Sequence, residues 1–516
     1  MTLLADVGSV GIIRDKPGYA LPPKAFSDGL NVRFHDGAVS KILGHRQPFG
    51  APTQTPYFVL PVRSGANAYW IYCSGTDAFV TDGTTHKEIT RTASDYSAST
   101  TVQGWSGLVF GGVPILNNGV DDPQQWSIDF ATPAKLTDLS NWPANTTCKF
   151  LGGFKQFLIA LDVTVSGTNY SRMVKWSHAS THNSVPSTWD ISLNDKDAGE
   201  YSIEATPGKV LGGLQLKDAY IIYKEDAVFG MQYVGAPFIF RFFQISEQVG
   251  ALSKHSVCEL ETGHFVFGTN DCYINDGVNL TSILNNRMRS FVYDSIDATN
   301  YKNSFVVPNY DKNEVWACYP RSGSTWPDFC VIWNYKENTF STRELPNTAF
   351  IGTGIVNPGD ALTWDSGPSE SWDSGYTSWD ERVFNPAKTR LITAGTGDSK
   401  LYLMDTTAQY DDNNYTSYVE RTGLHFDSPR TVKLCTEVAL NMEAFGPGTV
   451  EVLVGHHNAP EEGVTWASAV TFDPTTDYKI DCMVSGKYLA LRIQSSSEVF
   501  WTLNSYDMNI TDLGAG

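Results

Sequence analysis

Helix is what the 516-residue sequence has least of. Apolar residues recurring every three to four positions between caps are almost absent, which excludes helical bundles and the alternating βα order of parallel-sheet folds. Positive charge is also short: 37 Lys and Arg stand against 56 Asp and Glu, for a net charge of -19, which disfavours a tight binder of phosphate backbones. The first 46 residues are slightly basic, with Arg14, Lys16, Lys24, Arg33, Lys41 and Arg46 against Asp6, Asp15, Asp28 and Asp36, so the acidity belongs to the body of the chain. No apolar run approaches the ~18 residues needed to span a bilayer, and no membrane anchor is expected. The opening MTLLADVGSV has no basic segment and meets Asp6 almost at once, unlike a secretory leader. A soluble protein made in a cytoplasm is expected. The eight cysteines stand singly, mostly inside apolar runs and never as C-x-x-C, which reads as buried reduced thiols rather than a disulfide framework or a zinc site.

What the chain does have is aromatic residues, 13% of the total, and dense punctuation by 44 Gly and 25 Pro. Together with the missing helix period this predicts an all-β protein of two to four domains. One unit recurs, a hairpin of two apolar runs about a polar turn, its second strand closed by Asp-Gly or Asn-Gly in several copies. It is clearest between Leu211 and Ile283, in KDAYIIYKEDAVFGMQYVG (Lys217 to Gly235) and GHFVFGTNDCYINDG (Gly263 to Gly277). WIYCSGTDAFVTDG (Trp70 to Gly83) and GLVFGGVPILNNG (Gly107 to Gly119) follow the same plan. KQFLIAL (Lys155 to Leu161) and RMVKWS (Arg172 to Ser177) form a looser copy, separated by a polar insertion from Thr164 to Ser171. NEVWACYP (Asn313 to Pro320) with DFCVIWNYKENTFSTREL (Asp328 to Leu345), and TRLITAGTGDSKLYLMD (Thr389 to Asp405), complete the series.

Units roughly 40 to 65 residues apart match propeller blades with loop insertions. The expectation is a six- or seven-bladed β-propeller over 51–345, with 388–407 available to complete the last blade; two stacked β-sandwiches are the alternative. Before it, 1–50 reads as an extended Pro-rich arm and a small hairpin at Asp36-Gly37. After it, 346–415 reads as surface loops and a linker. Long alternating runs from 416 to 516, such as TVKLCTEVALNMEA and KYLALRIQ, predict an additional C-terminal β-sandwich of jelly-roll type.

Few residues offer chemistry. His178 and His182 have the spacing of a helical metal pair, but no Glu follows His178 and Pro186 argues against a helix. They and His456-His457 read as loop or strand-end histidines. GTGDSK (Gly395 to Lys400) lacks the spacing of a phosphate loop and sits between strands, so it reads as a hairpin turn. The doubled acids Asp121-Asp122, Asp411-Asp412 and Glu461-Glu462 read as exposed tips. SWDSGYTSW (Ser371 to Trp379) comes near the Asp-box turn of sialidase-type propellers, with its Trp one residue late. The Trp-Asp pairs Trp364-Asp365, Trp372-Asp373 and Trp379-Asp380 lie on a loop poor in aliphatics. They are candidate interface residues, because aromatic anchors typify contact hot spots. No catalytic residue, metal site or cofactor site is read from the sequence.

Two stretches carry a family resemblance: KVLGGLQLKDAYIIYKEDAVFGMQYVG, and EQVGALSKHSVCELETGHFVFGTNDCYINDGVNLTSI with its Gly250-Ala251 pair. Together with LPPKAFSDGLNVRFHDGAVSKILG (Leu21 to Gly44), GTVEVLVG and SGKYLALRI, they resemble the tail nozzle, or head-completion stabilisation, proteins (tail tubular protein B-like) of short-tailed bacteriophages. The resemblance implies a homohexameric ring of propeller subunits at the distal end of a virion tail, assembled in the host cytoplasm. Such a ring meets a tail adaptor ring above, tail fibres or tailspikes at its sides and a tail tip or needle in its lumen, through which double-stranded DNA leaves. It implies no catalytic residue and no cofactor. An acidic conduit agrees with this, since charge acts over ~8 Å in physiological salt and like charge keeps a passing polyanion mobile. A carbohydrate-binding or glycan-cleaving propeller, served by the Trp-Asp loop, and a plain monomeric scaffold are the competing readings.

Overall fold

The computed structural model describes residues 2–65, 67–92, 94–97, 104–356, 389–460 and 462–515, and seven four-stranded antiparallel sheets are found among them. In chain order, blade 1 is Phe58–Ser64, Asn67–Cys73, Ala78–Thr81 and His86–Glu88. Blade 2 is Ser106–Phe110, Val113–Asn117, Gln124–Gln125 and Thr137–Asp138, and blade 3 is Thr146–Phe154, Phe157–Val165, Thr168–Trp176 and Gly199–Ser202. Blade 4 is Val210–Leu216, Ala219–Lys224, Val228–Gly235 and Ile239–Ser246, and blade 5 is Val257–Glu259, His264–Phe267, Cys272–Asn275 and Leu280–Ser282. Blade 6 is Phe305–Asn309, Glu314–Tyr319, Phe329–Asn334 and Thr339–Glu344. Blade 7 is Thr348–Gly354, Arg390–Gly395 and Lys400–Met404, and its outermost strand is His45–Arg46 from near the N-terminus.

The first strand of each blade lies beside the first strand of the next, and that of blade 7 returns to that of blade 1. The chain is therefore a closed β-propeller. Closure is sealed by the antiparallel pairs Leu403 with Arg46 and Met404 with His45. Blades stacked radially cover each other on both faces, so their central strands carry apolar residues on both sides instead of alternating. Trp70, Tyr220, Phe265 and Trp316 are all buried, each in a different blade. The turn grammar has a local cause: Asn275 Oδ1 accepts from the Gly277 N–H, and Asp276 Oδ1 from the Val278 and Asn279 N–H groups.

A β-sandwich of two six-stranded sheets packs against this ring. The first sheet runs Val32–His35, Ala38–Lys41, Phe500–Ala515, Thr431–Phe445, Lys479–Gly486, with Thr2–Ala5 also paired to Phe500–Ala515. The second runs Asp28–Leu30, Ser417–Leu424, Tyr488–Ser495, Val450–His457, Thr465–Trp466, with Val470–Phe472 also paired to Val450–His457. The propeller is thus an insertion between the early and late strands of the sandwich. One apolar core runs from Val438, Val452, Leu491 and Trp501 of the sandwich through Ile12, Phe26 and Phe34 to Phe265, Val315 and Phe340 of blades 5 and 6.

Three boundaries differ from the sequence reading. Residues 1–50 are not a separate arm: they supply four sandwich strands and one blade strand, of two to four residues each, too short to show a period of two. Residues 346–415 are not only loops and linker, since three strands of blade 7 fall within them. The polar stretch Thr164 to Ser171 is a hairpin tip rather than an insertion, pairing Thr164 with Asn169 and Val165 with Thr168. Wet on both faces, such a tip carries no apolar signal.

Candidate functional site

The first strands of the seven blades enclose an axial cavity of about 430 Å³, within the ~300–1,000 Å³ of small-molecule sites. Its lining is mainly Phe, Val, Leu, Ile, Pro and Gly, with Ser253, Lys254, His255, Tyr223 and Tyr310 as its larger polar members. Close packing at the axis explains the glycines: a Cβ on Gly152 or Gly213 would strike Tyr220, whose hydroxyl donates to the Gly213 carbonyl at 2.9 Å. Among the described residues that line the cavity there is neither a carboxylate nor a thiol.

Lys254 and His255 enter on the short segment before the first strand of blade 5. His255 Nε2 lies 3.0 Å from the Trp105 carbonyl, so that nitrogen carries the proton. Lys254 Nζ lies 3.5 Å from the Gly104 carbonyl, and burial pushes its ammonium down to about 7. The unfolded chain keeps this proton up to the ordinary lysine range, so between roughly pH 7 and 10 it binds more protons than the folded protein and stability rises with pH. Lys254→Met should abolish that part of the rise. Urea midpoints of the two proteins at pH 7, 8.5 and 10 isolate it from other buried lysines, and parallel midpoints would refute it.

Beneath the cavity, blades 4 and 5 are joined by a polar chain that sequence reading did not single out. His264 Nε2 donates to the Gln215 carbonyl (2.9 Å), leaving Nδ1 to accept from the Tyr223 hydroxyl (2.9 Å), which also accepts from Asn275 Nδ2 (3.0 Å). Burial pushes the His264 imidazole down to about 4 and the Tyr223 hydroxyl up, so both stay neutral. All three side chains are buried, and the chain holds blades together.

The interface residues Trp364, Asp365, Trp372, Asp373, Trp379 and Asp380 lie outside the described residues. His178 lies on irregular backbone, its Nδ1 accepting from the Asp197 N–H (3.1 Å), and His182 is in the same loop. His457 ends a strand, stacked on Tyr488 with 4.9 Å between ring centroids. Gly395 pairs with Lys400 across a hairpin turn. The eight thiols are unpaired and all but Cys482 are buried. His35, Asp36 and Glu337 come together where the arm hairpin meets blade 6, with His35 Nδ1 2.9 Å from Glu337 Oε1.

The junction between the two bodies buries charged and polar side chains, Asn31, Arg33, Glu314 and Arg343 among them. Arg33, on an early sandwich strand, grips Glu314 of blade 6 through Nε and Nη2, the latter at 3.0 Å. It grips Asp405, just after blade 7, through Nη1 (3.1 Å) and Nη2 (2.8 Å). Asn31, fully buried at φ +55°, satisfies its side chain through Thr416, Glu344 and Tyr410. Trp316 donates to Glu314 Oε2 at 3.0 Å, and the Arg343 guanidinium lies 4.8 Å from the Trp316 ring centre. Such a junction fixes one domain against the other.

No protein-family model and no curated protein matches the chain. Among solved structures it is similar to the AfRom2 CNH domain, at 8% identity and a TM-score of 0.38 over 71% of this chain and 99% of that one. It is also similar to the β-propeller domain of Cps50 (Swd1) from Myceliophteria thermophila, at 8% identity and a TM-score of 0.41 over 70% of this chain and 100% of that one.

Proposed function

We propose that this chain is a structural subunit of the distal ring of a short bacteriophage tail, a docking platform around a passage for DNA. The reading rests on the resemblance of Leu21 to Gly44, Lys209 to Ile283 and the late sandwich strands to tail nozzle proteins. The structural observation that supports it most is the axial cavity. At about 430 Å³, narrowed by Phe58, Phe150 and Phe350, it has the size of a small-molecule pocket and is too small to pass a duplex. A duplex would have to pass between copies of the chain, which a ring provides. The buried Arg33 clamp and the core shared by sandwich and propeller supply the rigidity that such a ring would need. The net charge of -19 suits a wall that a polyanion slides past rather than binds.

The test is native mass of the purified chain, alone and mixed with a tail adaptor ring. A closed assembly of six copies in either sample is the expected result. A chain that stays monomeric at micromolar concentration in both samples overturns the reading, and turnover of host-surface saccharides by the chain would replace it with a glycan-directed one.

A further inference from the structure

The outermost strands of most blades are short, with three residues in blade 1, two in blade 2, four in blade 3, three in blade 5 and two in blade 7. Short edges offer little unpaired backbone to another chain. Two are longer. In blade 6, Thr339–Glu344 is covered by this chain's own early residues: the Ile12 N–H donates to the Phe340 carbonyl (3.0 Å) and the Asn31 N–H to the Thr342 carbonyl (2.8 Å). In blade 4, Ile239–Ser246 is eight residues long and no strand among the described residues pairs with its outer edge.

That edge is also apolar and strained. The end of the preceding strand exposes Tyr233 and Val234, and the turn after it Phe238, the last 80% exposed. Ile239 holds φ +54°, a left-handed conformation that a β-branched residue adopts only at a cost and only where its surroundings impose it. The sandwich has a matching feature. Lys479–Gly486, again eight residues, is the last strand of its first sheet, with Tyr478 beside it and Met483 on it 72% and 83% exposed.

We propose that these two edges pair with each other between copies of the chain, the outer strand of blade 4 in one copy adding antiparallel to Lys479–Gly486 of the next. The charges select the register. Arg241, exposed and without an ion pair among the described residues, falls opposite Asp481, whose side chain is 82% exposed and forms an ion pair with Lys479 of its own strand. The same register puts Phe243 opposite Lys479, Ile239 opposite Met483 and Phe238 opposite Val484. Because the two edges belong to different surfaces, the contact is head to tail and builds a ring or a filament. Closure at six copies rests on the tail-ring reading; the contact itself does not.

Arg241→Asp and Asp481→Arg, made singly and together, test it by native mass against concentration, alone and with the adaptor ring. Each single reversal should raise the concentration needed for assembly roughly tenfold or more, as like charges come face to face, and the double reversal should recover assembly. Met483→Asp, which keeps both charges, should weaken it independently. Thermal melting of each variant confirms that the fold is intact. Single variants that assemble like the parent, or a double variant no better than the singles, overturn the contact while leaving a ring intact. A parent chain that assembles under none of these conditions overturns the contact and the ring reading together.

Discussion

Replacing Arg33 with Met should cost about 3–5 kcal/mol of stability, the range measured when one member of a buried ion pair is removed and the others remain. Arg33, Glu314 and Asp405 side chains are 8%, 1% and 10% exposed, so the stranded carboxylates could not turn to water. Urea unfolding of the two proteins gives the difference directly. Arg33→Lys should rescue little, because one ammonium cannot serve four carboxylate oxygens in the plane that the guanidinium reaches. Arg33→Met combined with Glu314→Gln and Asp405→Asn should recover much of the loss, since removing all the charges also removes the need to compensate them. The pH dependence has a definite sign. Burial alone would raise the Asp405 carboxyl, but the charge and hydrogen bonds of Arg33, helped by the Arg343 charge, together outweigh it and leave the group below its ordinary value of 3.8. The resulting stability is complete above that value and is lost as pH falls through the depressed one. Acid unfolding should therefore separate the parent from Arg33→Met most at neutral pH and least at the acid end. A loss below about 1 kcal/mol, the worth of an exposed pair, would mean that the junction is wet.

The hairpins were legible because a blade's central strands are buried on both faces, so runs such as YIIY and WIYC stand out against Gly-rich turns. Blade number was not legible, because a two-residue outer strand such as Thr137–Asp138 or His45–Arg46 has no pattern to read. Ser417–Leu424 alternates as a half-buried strand should, yet its partner Asp28–Leu30 lies almost 400 residues earlier, and nothing in a local window announces such a pairing. In the sequence Arg33 is one of several scattered charges in the first 46 residues; its role depends on two acids brought to it by blades 6 and 7. Lys254 sits in an ordinary Ser-Lys-His-Ser stretch, and only closure of the ring encloses it. In each case the missing information is long-range, whereas turn chemistry and two-sided burial are written locally.

Deletion of residues 1–46 should leave no cooperatively folded protein, a larger effect than any single replacement above. Six side chains of the core shared by sandwich and propeller go with the segment, Val7, Ile12, Phe26, Val32, Phe34 and Val39. At roughly 1.5–3 kcal/mol for each, their burial is worth on the order of 9–18 kcal/mol, as much as the whole stability of a typical domain. The deletion also strips the outer strand from blade 7, opens the covered edge of blade 6 and removes Arg33. What remains would expose a sandwich core and fresh strand edges, so aggregation rather than a soluble monomer is the expected fate. Hydrogen exchange gives the complementary readout in the intact chain. If the early strands are integral, the amides of Val32 and Phe34 should open only with global unfolding, at the same free energy as the sandwich core strand carrying Val438. Were they a strap lying over a finished fold, they would exchange well before it, and the truncated chain would melt near the parent temperature. The buried pairing of Asn31 with Thr416 and Tyr410 argues for the first outcome, because those bonds join the start of the chain to the segment that re-enters the sandwich after the last blade.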